Sequence, residues 1–243
     1  MTKKWLKRLL FPLLQRRDPE AWSITRFVQW ASTQVADRAL LLDAGAGDCK
    51  YQIYFSHTQY ESTDFGDVFD KSARGKHTFV CDLTSITRPS NTYDAVLCTQ
   101  VLEHVPDPRA VLGELYRVLK PGGQLFLTIP QGYGVHGAPY NFFNFTSFGI
   151  EHLLTQVGFD VKFIQPRGGI FWLLAKIMQL LPSYLSWQST SIDSILKRMI
   201  KTVLFFLPSG ILKVFIPLLL FPLDRFDHKK TWTLGYACYS RKP

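Results

Sequence analysis

The chain has 243 residues, 47% of them hydrophobic, and a net charge of +9. That size and apolar content suit one α/β domain with a sizeable core and some apolar surplus. The four cysteines (Cys49, Cys81, Cys98, Cys238) have neither CxxC nor metal-ligand spacing, which excludes a disulfide scaffold or a cysteine-held metal and fits reduced thiols in the cytosol.

The charge is unevenly placed. Residues 1–17 hold six Lys/Arg and no acid, residues 18–165 eleven bases against sixteen acids, and residues 166–230 nine bases against three acids. An acidic middle argues against a nucleic-acid cleft, and basic, strongly apolar flanks point to an anionic membrane surface.

In chain order, residues 3–15 read as a short basic amphipathic segment, or else as a disordered terminus. Their apolar run is broken by Pro12 and has no small-residue cleavage site, so no secretory signal is expected. Asp18-Pro19-Glu20 opens a helix expected to reach Gln34: a capping acid, a proline in the first turn, then an acid near the positive helix end. Leu40-Leu41-Leu42-Asp43-Ala44-Gly45-Ala46-Gly47-Asp48 follows, an apolar run ending in an acid and alternating small residues. This is how a buried parallel strand turns into a helix while leaving its backbone open to a ligand. Gly45 and Gly47 permit positive φ, and Asp43 can hold a cation or a hydroxyl.

Strands are expected near 39–43, 60–64, 77–81, 93–98 and 123–129, with helices near 50–56, 109–119 and 146–157. The second strand ends at Asp64, 21 residues after Asp43, a spacing that suits a ribose diol; the third ends at Asp82-Leu83. The fourth leads into Gln100-Val101-Leu102-Glu103-His104. Polar groups thus collect at one carboxyl edge, where open α/β sheets bind ligands. Lys120-Pro121-Gly122-Gly123 stops a helix and starts the fifth strand. Residues 158–164 and 231–240 read as strands six and seven.

Taken together, Asp43-Ala-Gly45-Ala-Gly47, Asp82-Leu83, Val101-Leu-Glu103-His104-Val-Pro-Asp-Pro108 and Arg117-Val-Leu-Lys-Pro-Gly-Gly123 resemble the class I S-adenosylmethionine-dependent methyltransferases, specifically the methyltransferase type 11-like group. The resemblance covers roughly residues 38–165 and the chain's end. It departs at Cys49, where many members carry a third glycine. It implies a Rossmann-like α/β fold: a seven-stranded, mostly parallel sheet with helices on both faces, strands six and seven forming an antiparallel hairpin at its edge.

The resemblance also implies S-adenosyl-L-methionine as cofactor. Asp43 would sit near its ammonium group, with Gly45 and Gly47 lining the backbone beside it. Asp64 would take the ribose hydroxyls, Asp82 or the Leu83 backbone the adenine, and Gln100 and Val101 would floor the methionine end. The alternatives for the acids are helix capping, a surface salt bridge or, for Asp82, a plain turn. Catalytic-base candidates are His104, which with Glu103 can equally serve to fix the next helix, and His136 in the loop after strand five. In that loop Tyr140, Asn141 and Asn144 are expected at the acceptor. The family pattern has Asp and Arg where Asn141 and Asn144 stand, so an amide–amide bond replacing a salt bridge is one expectation and altered acceptor chemistry the other. No metal is expected.

Residues 166–230 are an apolar helical insertion before the last strand, with apolar stretches at 170–187 and 203–223. Each approaches bilayer-spanning length. Each also carries a lysine (Lys176, Lys213) and prolines, and Lys197, Arg198 and Lys201 lie between them, so helices in the interface are preferred to helices across it. A soluble lid is the third reading. The chain is therefore expected to divide into residues 1–17, a methyltransferase domain of 18–165 and 231–243, and the insertion. Its expected function is methyl transfer to a small or lipid-linked acceptor at the cytosolic face of a membrane. The rivals are a non-catalytic cofactor-binding protein, a soluble-metabolite or nucleic-acid methyltransferase, and a nicotinamide-dependent reductase, whose GxGxxG loop is absent here.

Overall fold

A computed structural model describes residues 16–65, 77–184 and 211–243. The expected segment at 3–15 and the centre of the insertion, with Lys197, Arg198 and Lys201, lie outside the described residues.

Helix α1 (Pro19–Gln34) starts as expected, with Asp18 Oδ1 accepting from the Ala21 amide at 3.2 Å. Then come β1 (Leu40–Ala44), β2 (Gln59–Asp64), β3 (Phe79–Val80) and β4 (Tyr93–Thr99). Helix α2 (Pro108–Val118) is capped by Asp107, whose side chain accepts from the Ala110 amide. Strand β5 (Leu119–Pro130), helix α3 (Ser147–Val157) and strand β6 (Asp160–Pro166) follow. Helix α4 (Ile170–Tyr184), a π-helical turn (Ile211–Phe215) and helix α5 (Ile216–Leu223) precede the last strand, β7 (Gly235–Arg241).

The seven strands form one sheet in the order β3-β2-β1-β4-β5-β7-β6. β1 pairs in parallel with β2 and β4, and β4 with β5, while β7 lies antiparallel between β5 and β6. Alternation along each strand divides the core by face. Leu41, Ala95, Leu97 and Phe126 pack with Ile24, Phe27, Val28 and Ala31 of α1. Leu42, Val96, Cys98 and Leu127 pack with Val111, Leu112 and Leu115 of α2 and Ile150 and Leu154 of α3. Helices therefore cover both faces.

Three elements differ from the sequence expectation. The helix expected at 50–56 is a single 3₁₀ turn, Gln52–Phe55, with no side-chain cap at Tyr51, and the left-handed Cys49 (φ 56°) precedes it. β3 is two residues long, since only Thr63↔Phe79 and Asp64↔Val80 pair. β5 begins at Leu119 rather than 123, because Tyr93↔Leu119 already pair before an irregularity in the ladder.

The chain divides into two compact units, one of residues 24–167 and 235–243, the other of residues 1–23 and 168–234. In the second, Asp224 and Asp227 cap α4. Asp224 Oδ1 accepts from the Gly169 amide at 2.8 Å and the Trp172 amide at 3.3 Å, and Asp227 Oδ2 accepts from the Ile170 amide at 2.8 Å. The Trp172 ring stacks on Phe221 with centroids 4.7 Å apart.

Candidate active site

Strands β1, β2, β4 and β5 run the same way, so their carboxyl ends share an edge; β6 joins them through two antiparallel steps. The β1 end turns through Gly45 (φ 76°) and Gly47 (φ 53°). The Gly45 and Ala46 amides both donate to the Thr63 carbonyl, at 2.9 and 3.1 Å, which folds the turn back over the end of β2. A Cβ on Gly45 would lie 2.3 Å from Val101 Cγ2, whereas one on Gly47 would meet nothing within 4 Å. Gly45 is required for packing and Gly47 opens the backbone to the space beyond.

Asp43 is 1% exposed. Its Oδ2 accepts a 2.5 Å bond from the Tyr60 hydroxyl, and its buried Oδ1 has no hydrogen-bond partner among the described residues. Burial pushes this carboxyl up to about 7; the Tyr60 bond opposes the rise and the Asp64 charge adds to it. A buried carboxylate with one bare oxygen is a socket for a cationic group. The Tyr60 hydroxyl is pushed above its ordinary value by burial and by Asp43.

Asp64 ends β2. Its Oδ2 accepts from the Gly47 amide and its Oδ1 from the Phe65 amide, both at 2.8 Å, leaving lone pairs on each oxygen. Asp82 is exposed and its Oδ1 accepts from the Thr84 amide (2.8 Å) and hydroxyl (2.9 Å), closing a local turn, while Leu83 is buried in the core.

Gln100 takes φ 55°, a region that side chains rarely adopt. It is held by its amide on the Thr128 carbonyl (2.9 Å), its Nε2 on Thr128 Oγ1 (3.2 Å) and its Oε1, which accepts from Arg167 Nη2 at 3.4 Å. The same Nη2 donates to the Ile129 carbonyl at 3.2 Å. Gly235 leaves room for it, since a Cβ there would lie 2.6 Å from Nη2. Sequence reasoning missed Tyr60, Thr128 and Arg167. The signal for Arg167 was its place just past a strand whose carboxyl end reaches the shared edge.

A second cluster comes from the loops after β4 and β5. His104 Nδ1 lies 2.6 Å from the Tyr140 carbonyl, which can only accept, so Nδ1 carries the proton and Nε2 the lone pair. His136 Nδ1 lies 3.0 Å from the Gly134 carbonyl, which assigns the same tautomer. The two rings meet edge to face with centroids 4.9 Å apart. Burial, and to a smaller extent His136, push the His104 imidazole below its ordinary value, against the Tyr140 bond. The buried Glu103 carboxylate lies 3.9 Å from His104 Nε2.

Asn141 and Asn144 do not pair with each other among the described residues. Asn141 Oδ1 accepts from the His136 amide at 3.4 Å, while Asn144 Nδ2 donates to the Tyr133 carbonyl at 2.9 Å. The two side chains brace different parts of the loop, which replaces the expected amide–amide bond. Tyr140 contributes a half-exposed ring beside Phe142 and Phe143. Donor atoms of Glu103, His104 and His136 lie within 4.8 Å of one another, a set able to hold a metal ion. The spacing hid it because His136 comes from a separate loop.

The chain is similar to known proteins. A family described as a methyltransferase domain matches residues 42–127. A ubiquinone biosynthesis O-methyltransferase of Pseudomonas savastanoi pv. phaseolicola is 48% identical over 81 residues, 30% of this chain and 31% of that protein. The chain thus aligns with less than a third of that relative's length. Among solved structures, a SAM-dependent methyltransferase from Archaeoglobus fulgidus superposes with a TM-score of 0.56 at 15% identity, covering 90% of this chain and 93% of that one. The phosphoethanolamine N-methyltransferase 2 of Haemonchus contortus, solved with S-adenosyl-L-methionine, gives 0.52 at 15%, covering 91% and 52%. At such identity the superpositions speak for the fold, and the matched methyltransferase domain, residues 42–127, covers about a third of this chain.

Proposed function

We propose that this chain transfers the methyl group of S-adenosyl-L-methionine to a small or lipid-linked acceptor at the cytosolic face of a membrane. The observation that carries the reading is the bare, buried Oδ1 of Asp43, with the Asp64 carboxylate beyond the Gly45–Gly47 turn. A cation socket and a diol acceptor joined by an open backbone fit a ligand with an ammonium group at one end and a ribose further along.

The bound cofactor would supply an electrophilic methyl group on a sulfonium. Asp43 would hold the ammonium group, whose charge would favour the ionised carboxylate. Asp64 accepts the ribose hydroxyls with its remaining lone pairs. One Asp82 oxygen is committed to Thr84, which favours the Leu83 backbone at the adenine. Gln100 and Val101 form the floor. The chain's remaining tasks are to align the acceptor with the methyl group and to remove its proton. His104 Nε2 is suited to that proton: its lone pair is set by the Tyr140 bond, and its lowered basicity keeps it neutral near pH 7. His136 orients it or serves as the alternate base. Tyr140, Asn141 and Asn144 shape the acceptor side.

The name of the Pseudomonas relative, a ubiquinone biosynthesis O-methyltransferase, favours an oxygen acceptor, and the exposed Phe142 and Phe143 favour an apolar one. Residues 18–165 and 231–243 would carry the chemistry, with 1–17 and 166–230 making the membrane contact. The test is incubation of the purified chain with methyl-labelled S-adenosylmethionine and membranes. Label is expected in the organic extract and should be absent with Asp64→Ala. Label confined to water-soluble products would reject the lipid-linked acceptor, and no transfer to any acceptor would reject the reaction.

A further inference from the structure

The π-helical turn and α5 place Ile211, Phe215, Leu219 and Leu223 four residues apart, and side chains at that spacing share a helix face. All four are exposed, Phe215 at 64% and Leu219 at 69%. Phe226 and Trp232 follow, both more than half exposed. An apolar line of this length facing water marks a contact surface.

The exposed charged side chains of residues 211–234 are all cationic. Lys213, Arg225 and Lys229 are exposed. The neighbouring acids are engaged elsewhere: Asp224 is buried, capping α4 and pairing with Lys230 at 2.6 Å, and Asp227 accepts from the Ile170 amide. The exposed part of this segment is apolar and cationic and carries a tryptophan, the composition of an element seated among anionic headgroups. A second copy of the same face would bring cations against cations. α4 has 15 residues and α5 eight, and no helix among the described residues is long and apolar enough to cross a membrane.

We propose that the Ile211–Phe215–Leu219–Leu223 stripe, with Phe226 and Trp232, docks in the plane of an anionic lipid bilayer. This deepens the membrane-face part of the proposed function and is independent of methyl transfer, so either can fail without the other.

The test is co-sedimentation of the full chain with vesicles of phosphatidylcholine alone or mixed with phosphatidylglycerol. Binding should favour the anionic vesicles and weaken with salt. Phe215→Glu/Leu219→Glu should bind at least about tenfold more weakly. Both sites are exposed, and the variant should keep the parent's melting temperature and S-adenosylhomocysteine affinity. Lys213→Gln/Lys229→Gln, which leaves the stripe intact, should lose the anionic preference. Three results would overturn the proposal: no sedimentation with either vesicle, undiminished binding by the glutamate variant, or a parent dimer that the glutamate variant converts to monomer without changing vesicle binding.

Discussion

Asp43 sets function against stability at a single side chain. In the unfolded chain its carboxyl titrates near 3.8, and in the fold near 7. The folded state therefore holds this proton more tightly, so the contribution to stability is present below the lower value and is lost as pH rises through the upper one. The loss amounts to a few kcal/mol at about pH 8. Asp43→Asn should consequently melt higher than the parent at about pH 8, show little gain near pH 4, and lose cofactor affinity; thermal melts at both values and calorimetry check this. Arg167 poses a different question, since its Nη2 donates to Gln100 Oε1. Glycine accepts φ 55° without strain, so a clamp on residue 100 becomes redundant once glycine stands there. Arg167→Met should weaken S-adenosylhomocysteine binding about tenfold in the parent and leave it unchanged in a Gln100→Gly background. Equal losses in both backgrounds would contradict this. Asp43, Gly45, Gly47 and Asp64 were legible because each lies at a strand end readable from its own neighbours. Tyr60 and Arg167 were hidden because their partners are 17 and 67 residues away and meet them only once strand register is fixed.

Elements with strong local signals formed where expected. α1 has Asp18 and Pro19, α2 has Asp107 and Pro108, and α3 runs from Thr146, which accepts from the Gly149 amide, to the left-handed Gly158. Weak local signals gave way to pairing: the expected 50–56 helix shrank to one turn, and β3 to the two residues that reach β2. The capping of α4 was unreadable, because its donors follow Arg167 while its acceptors lie beyond 223. Asp224→Ala strips the Gly169 and Trp172 amides of their acceptor and leaves Lys230 without its carboxylate. It should lower the stability of that unit by about 1–2 kcal/mol, read as an earlier melt by circular dichroism. Asp227 adds a pH signature. The Ile170 and Lys230 amides hold its carboxyl below the ordinary value, so its support of α4 is present at neutral pH and is lost in acid.

At the scale of the whole chain, the seven-stranded sheet with its reversed β7 followed from the order of apolar runs and the family resemblance. The insertion's boundary was less legible: the compact unit begins at Gly168 and also takes in residues 16–23, because apolar composition identifies a segment without saying what it packs on. The edge formed by Asp43, Gly45, Gly47 and Asp64 is proposed to hold S-adenosylmethionine. The most direct measurement is calorimetric titration of the purified full chain with S-adenosylmethionine, repeated with Asp64→Ala and with nicotinamide dinucleotide as competitor. The account predicts one site per chain, affinity at least about a hundredfold lower in the variant through loss of two charge-assisted hydrogen bonds, and no competition. No binding, unchanged affinity in the variant, or displacement by the dinucleotide would contradict it.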